Sequence, residues 1–211
     1  MPFDFKKEYR DFCQPKAKPA IIEVPPMRFI AVEGSADPNE EGGTYKHALD
    51  LLYGIAYTLK MSYKTEHAIE GFYQYVVPPL ESFWWQLGAT GVDYADKPSF
   101  NWVSAIRVPE FVGEANFAWA IGAASAKKGM DFSPVLLLEA DEGLCVQCMH
   151  LDPYDDEPAT VDAMHSFAEA QGYAPDLSDA RRHHEIYLTD PRKADSAKMR
   201  TVVRHPIRKA Q

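Results

Sequence analysis

Hydrophobic residues recur at helical spacing in three segments of the chain. The segments cover 44–61, 110–128 and 157–171, and glycines at 129 and 172 suit the ends of the last two. In the first segment the apolar side chains form one stripe, made of Tyr45, Ala48, Leu49, Leu52, Ile55, Ala56 and Leu59. The pattern therefore predicts three helices.

Between these helices, short segments rich in β-branched and aromatic residues predict strands. The first, 20–33, should be bent or bulged at Pro25-Pro26, since proline cannot donate to a β-ladder. Residues 141–143 are typical of a hairpin turn between two strands, and 190–196 of a further turn. The remaining predicted strands cover 71–77, 82–88, 101–108, 135–140, 144–151, 183–190 and 199–206.

The order strand–helix–strand–strand occurs twice, over about 20–107 and about 144–206. We therefore expect an α+β domain at 19–208, in which duplicated βαββ halves share an antiparallel sheet with pseudo-two-fold symmetry. Residues 1–18 are polar and Lys-rich, and we expect them to form an N-terminal arm. Such halves usually carry their helices on one sheet face. We expect a ligand groove on the other face, where the halves meet.

Composition limits the possible functions. The chain has 211 residues and a net charge of −9, which disfavours direct binding to nucleic acid. Its start resembles no signal peptide and it has no membrane segment, so we expect a cytoplasmic protein. Basic residues near the C-terminus are interpreted as a solvated edge, formed by Arg181, Arg182, Arg192, Lys193, Lys198, Arg200, Arg204, Arg208 and Lys209.

The candidate metal and redox motifs are weak. Cys145 and Cys148 lie in a predicted strand, where positions three apart face opposite ways, so two buried thiols are favoured over a redox or zinc pair. The seven histidines show no metal-binding spacing, and the acidic segment 152–157 is interpreted as the lead-in to a helix. No metal and no cofactor is predicted.

Aromatic residues cluster on neighbouring predicted strands. They suit either a core or the wall of a site for a planar ligand, because aromatic rings offer flat, rigid contact area. The cluster consists of Tyr73, Tyr75, Trp84, Trp85 and Trp102.

Glu185 is the sharpest single signal. It lies in the middle of a predicted strand, where a carboxylate is either at an exposed edge or functional, and we favour function. Alternation puts Ile186 and Leu188 on one face, which we expect to pack on helices. Glu185 should then face the groove together with His183 and Tyr187.

Several stretches of the chain resemble the GyrI-like small-molecule-binding proteins. They are HALDLLYGIAYTLKM (47–61), YQYVVPPLESFWW (73–85), IRVPEFV (106–112) and HHEIYLTDPRKADSAKMRTVVRHPI (183–207). The resemblance covers about 18–208 and is strongest to stand-alone, single-domain bacterial members. It implies a duplicated βαββ fold of the SHS2 type with a ligand groove between the halves, and no helix-turn-helix domain.

The resemblance also implies a function. In related effector domains a central glutamate meets cationic or planar drugs, and Glu185 matches that position. Some stand-alone members resemble hydrolases that open the cyclopropane ring of DNA-alkylating compounds with a carboxylate, a tyrosine and water. Glu185 fits the carboxylate; Tyr57, Tyr75 and Tyr187 are candidates for the tyrosine, and Tyr75 is our choice. The expected ligand contacts are Tyr57, Tyr73, Trp84, Trp85, Trp102, His183 and Tyr187.

Two other functions stay open at this point. The protein could be a non-catalytic sensor or sequestering protein for a small molecule. Less favoured is an inhibitor of a protein partner such as DNA gyrase, in which the acidic surface mimics nucleic acid. The sequence leaves the oligomeric state open.

Overall fold

The structure, a computed structural model, describes residues 1–89, 91–178, 180–189 and 198–210. The turn predicted at 190–196 lies outside the described residues. The helices are α1 (Phe5–Glu8), α2 (Arg10–Cys13), α3 (Thr44–Lys60), α4 (Glu114–Lys128) and α5 (Glu157–Ala170). The strands are β1 (Ala20–Val24), β2 (Met27–Ser35), β3 (Leu80–Trp85), β4 (Asn101–Arg107), β5 (Leu136–Ala140), β6 (Gly143–His150), β7 (Tyr173–Pro175), β8 (His183–Tyr187) and β9 (Thr201–Lys209).

The strands form one open antiparallel sheet. Their order is β1-β6-β9-β8-β3-β4-β2-β5, and β7 pairs with the end of β9. The first half, β2-α3-β3-β4, meets the second half, β6-α5-β8-β9, where β3 pairs with β8. Reading outward from that junction, the two halves repeat the same strand order. The predicted α+β fold with two similar halves is thereby confirmed.

The outermost strand of each half does not come from the chain segment directly before that half. It comes from the segment before the other half. β1 comes just before the first half but pairs with β6, and β5 comes just before the second half but pairs with β2. Two predictions were therefore wrong. Pro25-Pro26 separates two strands instead of bending one, and 141–143 joins strands at distant places in the sheet instead of forming a hairpin.

These exchanges force the sheet to curl. Only two residues separate β1 from β2, and only two separate β5 from β6. Three Cα–Cα steps span at most about 11 Å, so the two ends of the sheet must approach each other. The result is a curved sheet with α3, α4 and α5 on its outer face, which we call the helix face.

The N-terminal residues cover the opposite face instead of leaving it free. Phe5 in α1 and Cys13 in α2 are buried there, although the segment had been expected to be a polar arm. The predicted strand at 71–77 is also absent. These residues run beside the arm, with one isolated bridge between Phe3 and Tyr75, so their alternation reflects packing on the arm.

Both helices of the repeat pack as their apolar stripes predict. α3 lies over β2 and β4, and its side chains at 48, 52, 55 and 59 are buried in the larger core cluster. α5 lies over β6 and β9 through Met164 and Ala168. α4 begins at Glu114, four residues after the predicted start, and ends at Lys128, where Gly129 caps it in the left-handed conformation. Within the described part of the chain, none of the helices combines the length and apolar character needed to span a bilayer.

A buried ionic network lies under the N-terminal arm. The Glu142 carboxylate accepts from Arg204 at 2.8 Å and contacts His184 Nδ1 at 2.9 Å, and His184 Nε2 lies 3.0 Å from Glu81. Arg204 also donates to the Phe12 carbonyl at 2.9 Å, which ties the arm to the sheet. Burial alone would raise the pKa of Glu142, but His184 and Arg204 lower it to about 2. The expected solvated edge is therefore wrong for Arg204, which is buried.

Arg204→Met should lower the free energy of unfolding by about 3–5 kcal/mol, because it leaves the Glu142 carboxylate buried without its partner. Urea denaturation measures the change. Arg208→Met is the matched control on the same strand. Its side chain is half exposed and pairs with Asp176, so the loss there should stay below about 1 kcal/mol. Equal losses in the two variants would contradict this assignment.

Candidate functional site

Glu185 lies at the junction of the two halves, on the helix face. In β8 it points the same way as His183 and Tyr187, and it pairs across the junction with Ser82 of β3. The orientation expected for β8 was wrong: Ile186 packs with Met149 and Val202 on the opposite face. The reason is that the N-terminal arm, and not α3, α4 or α5, supplies apolar cover on that side.

Glu157, His183 and Glu185 form a compact group that we call the acid–histidine cluster. His183 Nε2 lies 3.0 Å from Glu185 Oε1 and 3.2 Å from Glu157 Oε1. Glu157 is the first residue of α5, so the helix of the second half delivers it onto β8. All three side chains are buried, and Glu185 keeps 7% of its surface exposed.

His183 carries the positive charge that this cluster requires. Burial would lower the pKa of His183, but hydrogen bonds to Glu157 and Glu185 outweigh it and raise that pKa to about 10. Burial and the neighbouring Glu157 charge raise the pKa of Glu185, while hydrogen bonds from His183 and Tyr187 act in the other direction. A carboxyl group with a raised pKa beside a cation is suited to accept and return protons.

Hydroxyl groups and aromatic rings surround the cluster on the β3 side. Trp84 Nε1 donates to the Tyr187 hydroxyl at 3.0 Å, and Tyr45 stacks on Trp84 with ring centroids 5.3 Å apart. The Tyr45 hydroxyl reaches Ser82 at 3.2 Å. Burial raises the pKa of both Tyr45 and Tyr187, so these phenols stay protonated. They can therefore donate hydrogen bonds to a ligand oxygen.

Three partly buried tyrosines form the rim of the site. They are Tyr94, Tyr154 and Tyr187. Tyr94 donates to Glu157 Oε1 at 2.5 Å, and the ring of Tyr154 lies 5.8 Å from that of Tyr187. Aromatic rings from both halves thus border the acid–histidine cluster.

The loop 91–99, which we call the strap, carries Tyr94 across the site. Gln86 at the end of β3 anchors it, since the Gln86 amide donates to the carbonyls of Asp93 and Asp96 and to the Ser99 hydroxyl. Lys97 then contacts Asp155 at 2.7 Å, which joins the strap to the segment just before α5. The first half of the molecule thus reaches over the acid–histidine cluster of the second.

The structure brings together some of the predicted site residues. Trp84, His183 and Tyr187 surround Glu185, and Trp102 lies behind them, with its ring 5.1 Å from that of Tyr45. Trp85 is on the opposite face, where Arg182 lies over its ring.

The other predicted tyrosines lie elsewhere. Tyr57 is 52% exposed on the outer side of α3. Tyr75 packs against Phe5 of the arm, and Tyr73 donates to Glu110 at 3.0 Å. The alternation in 71–77 was interpreted as a strand at the site, and this error placed Tyr73 and Tyr75 beside Glu185.

Sequence reasoning missed Tyr45, Tyr94, Tyr154 and Glu157. Glu157 had been interpreted only as part of the acidic lead-in to a helix, where an acidic residue is ordinary. Tyr45 lay in an apolar stripe and Tyr94 in a loop, so neither differed from its surroundings. The sequence offered one signal for two of them, since Tyr154 lies just before the helix of the second repeat and Glu157 lies at its start. Both residues face β8 once α5 packs on the sheet.

A cleft of about 360 Å³ opens on the face opposite the cluster. Its floor is apolar, with Phe83, Val103 and Leu138, and Arg181 and Glu142 lie at its margin. This concave surface is separated from Glu185 by the sheet.

Among the described residues, the acid–histidine cluster is also the group whose possible ligand atoms lie close enough together to hold a metal ion. One ligand atom from each side chain lies within 4.8 Å of the others. The distances from His183 Nε2 to both carboxylates are those of hydrogen bonds, so a proton on His183 already balances the acids. Cys145 and Cys148 are free and buried on opposite faces of β6, which confirms the prediction of two buried thiols.

Comparison with known proteins agrees with this architecture. The family described as GyrI-like small molecule binding domain matches residues 17–208. A hydrolase from Listeria innocua is 44% identical, with a TM-score of 0.90, covering 98% of this chain and 100% of its own. An uncharacterized conserved protein from Listeria innocua is 46% identical, with a TM-score of 0.92 and the same coverage. The EcmrR C-terminal domain shares the fold at 14% identity and a TM-score of 0.57, covering 92% of this chain and 98% of its own. No curated protein matches the chain.

The protonated His183 should make stability depend on alkaline pH. Its pKa is raised on folding, from 6.5 to about 10, so its stabilisation is complete below about pH 6.5 and is lost as pH rises through about 10. Denaturant titrations at several pH values should show the free energy of unfolding falling over this window. His183→Gln should flatten that fall, whereas the exposed helix variant His47→Gln should retain it. An unchanged pH slope in His183→Gln would rule out the charged state of His183.

Proposed function

Since this chain belongs to the GyrI-like small molecule binding domain family, we propose that it binds a planar, largely apolar small molecule above Glu185, between its two halves. The rim tyrosines offer flat rings for such a ligand, and Trp84 with Tyr45 forms an aromatic wall beside it. The buried carboxylate of Glu185 would favour a cationic or hydrogen-bonding group at the centre.

We further propose that the bound molecule is hydrolysed, and that its strained ring is a cyclopropane of a DNA-alkylating compound. The observation that carries this proposal is the Glu185 carboxylate, buried beside the cationic His183 and tyrosine hydroxyls. A relative 44% identical to the chain is called a hydrolase. The role would be cellular protection, and the three free cysteines suit the reducing cytoplasm.

In the proposed reaction, Glu185 removes a proton from a water molecule that attacks a ring methylene. A C–O bond forms, the strained C–C bond breaks, and its electron pair moves to a conjugated carbonyl oxygen of the ligand. The proton that Glu185 took from water then reaches that oxyanion through a tyrosine hydroxyl, so Glu185 is ionised again and the product is the ligand plus one water. Glu157 Oε2, which is buried without a protein partner among the described residues, can accept a hydrogen bond from the attacking water.

Tyr187 is the tyrosine we now propose as the donor to the oxyanion. It lies two residues after Glu185 on the same face of β8, its hydroxyl is oriented by Trp84 Nε1, and its raised pKa keeps it protonated. Tyr75, chosen from the sequence, packs on the N-terminal arm and does not belong to this group. Ligand entry requires the strap to lift, because Tyr94 lies over Glu157.

A second function, binding without turnover, is favoured by one observation. The 360 Å³ cleft on the opposite face is open without movement of the strap, and its size falls in the range of small-molecule sites. A sensor or sequestering protein could use that cleft alone. Substitution of Glu185 on the helix face and of Glu33 in the opposite cleft therefore distinguishes the two functions.

Glu185→Gln should abolish formation of the ring-opened, water-added product of a cyclopropane-bearing alkylator, because the amide cannot accept the proton of water. Mass spectrometry of the products measures this, and quenching of tryptophan fluorescence measures binding. Glu33→Gln, which alters a carboxylate at the opposite cleft, is the control and should keep full turnover. Stoichiometric binding without product in the unmodified protein would favour the non-catalytic function.

Tyr187→Phe should lower kcat about 100- to 1000-fold, the usual loss for one hydrogen-bond donor to an oxyanion. Tyr75→Phe, which removes a tyrosine hydroxyl on the arm side, should leave kcat close to that of the unmodified enzyme, because Tyr75 lies away from the acid–histidine cluster. Steady-state kinetics with the same alkylator separates the two variants. If Tyr75→Phe were the damaging change, the proposed location of the site would be wrong.

The ionisation of Glu185 as general base should also determine how kcat/KM depends on pH. Glu185 must be ionised to accept a proton, and its pKa is raised by burial and by Glu157. We therefore expect kcat/KM to rise with pH along a limb displaced above the ordinary glutamate value of about 4.3. A rate that is already maximal at that pH would exclude Glu185 as the base.

A further inference from the structure

A line of three histidines runs from the acid–histidine cluster to the partly exposed His165 of α5. His183 Nδ1 lies 2.6 Å from His205 Nε2, and His205 Nδ1 lies 2.8 Å from His165 Nε2. His183 and His205 are cross-strand neighbours on β8 and β9, and His165 reaches them from α5. His205 is buried and His165 is partly exposed, so the line leads from the interior to solvent.

The contacts at either end determine where the ring protons lie. His183 Nε2 faces two carboxylate oxygens, so it carries a proton, and the Nδ1 proton of the same imidazolium then donates to His205 Nε2. His205 Nε2 accepts, which leaves the proton of the neutral ring on Nδ1. That proton donates to His165 Nε2. Every inner hydrogen bond in the line thus has one donor and one acceptor.

We propose that His183, His205 and His165 form a proton path that connects Glu185 with solvent while a ligand covers the site. The strap and a bound ligand together close the direct route to water. The histidine line leaves the cluster on the other side, through β9 and α5, and is not covered by either.

The path conserves protons and ring states over one turnover. To export a proton, His183 passes its Nδ1 proton to His205 Nε2, His205 passes its Nδ1 proton to His165 Nε2, and His165 releases its Nδ1 proton to water. Each ring is then protonated on Nε2. The reverse sequence imports one proton and restores the starting tautomers. One export follows the deprotonation of water at Glu185, and one import follows the protonation of the oxyanion.

The charges beside the path couple it to the reaction. When Glu185 takes the proton of water, one of the two anions that raise the pKa of His183 is neutralised, so His183 holds its own proton less tightly. Burial and the charge of His183 lower the pKa of His205, which keeps the middle ring neutral at rest.

Solvent-side groups act on the outer end of the path. Burial lowers the pKa of His165, the charge of His183 lowers it further, and Asp162 and Glu169 of α5 oppose both effects. These two exposed carboxylates lie on the same helix as His165, at the solvent end of the path. On the inner end, the ionisable groups that face His183 are Glu157, Glu185, Tyr94 and His205.

The catalytic use of this path rests on the proposed hydrolysis, but the path itself can be tested without a substrate. In ligand-free protein labelled with 15N, NMR measures how fast the ring protons of His183 and His205 exchange with water. His165→Gln keeps a carbonyl acceptor for His205 but cannot pass a proton on, so we expect slower exchange. His47→Gln, at an exposed position of the equivalent helix α3, should leave the exchange rates unchanged.

Turnover of the cyclopropane-bearing alkylator supplies the second readout. His165→Gln should lower kcat on the order of 100-fold with little change in KM, and raise the solvent deuterium isotope effect on kcat. A purely structural role for His165 would not slow ring-proton exchange in a stably folded variant. Unchanged exchange in His165→Gln would overturn the path, as would 15N shifts showing no proton on His183 Nδ1. If His165→Gln slows ring-proton exchange but the unmodified protein does not hydrolyse the alkylator, the proton path stands and the proposed hydrolysis is rejected.

Discussion

Two ionised carboxylates buried side by side repel each other, and a positive charge between them offsets that repulsion. His183 supplies this charge where the halves of the sheet meet. Its position follows from the duplication. β8 is the innermost strand of the second half, and α5 of the same half delivers Glu157 onto it. The first half contributes the hydroxyls and aromatic rings on the facing side of the junction. The polar centre is thus shared by both halves, while each keeps its own apolar core.

The periodic elements of this fold are local properties and could be predicted. The apolar stripe of α3 and the alternation in β8 depend only on spacing between near neighbours in sequence. Strand pairing depends on distant residues. Nothing in the sequence of 20–24 indicates that it joins β6, because its hydrophobic pattern would suit any edge of the sheet equally well. The same holds for β5 and for the residues of the N-terminal arm.

A site residue could be predicted where its side chain is unusual for the secondary structure around it. Glu185 is such a residue, since a carboxylate in the middle of a strand is unusual. Glu157 conflicts with nothing at the start of a helix, although it is as deeply buried. Trp84 and Trp85 illustrate another limit: alternation places them on opposite faces but does not say which face carries the site. Only the packing of α5 and the arm decides that.

The exchanged strands have a consequence for the newly made chain. Residues 20–24 leave the ribosome before their partner in β6, which follows more than a hundred residues later. Until then the first half lacks β5 as well, so its outer pairing and the pairing of β1 both wait for the middle of the polypeptide. Domains usually begin to fold from the N-terminus during translation. In this protein the final architecture of both repeats can form only once synthesis has passed the connection between them.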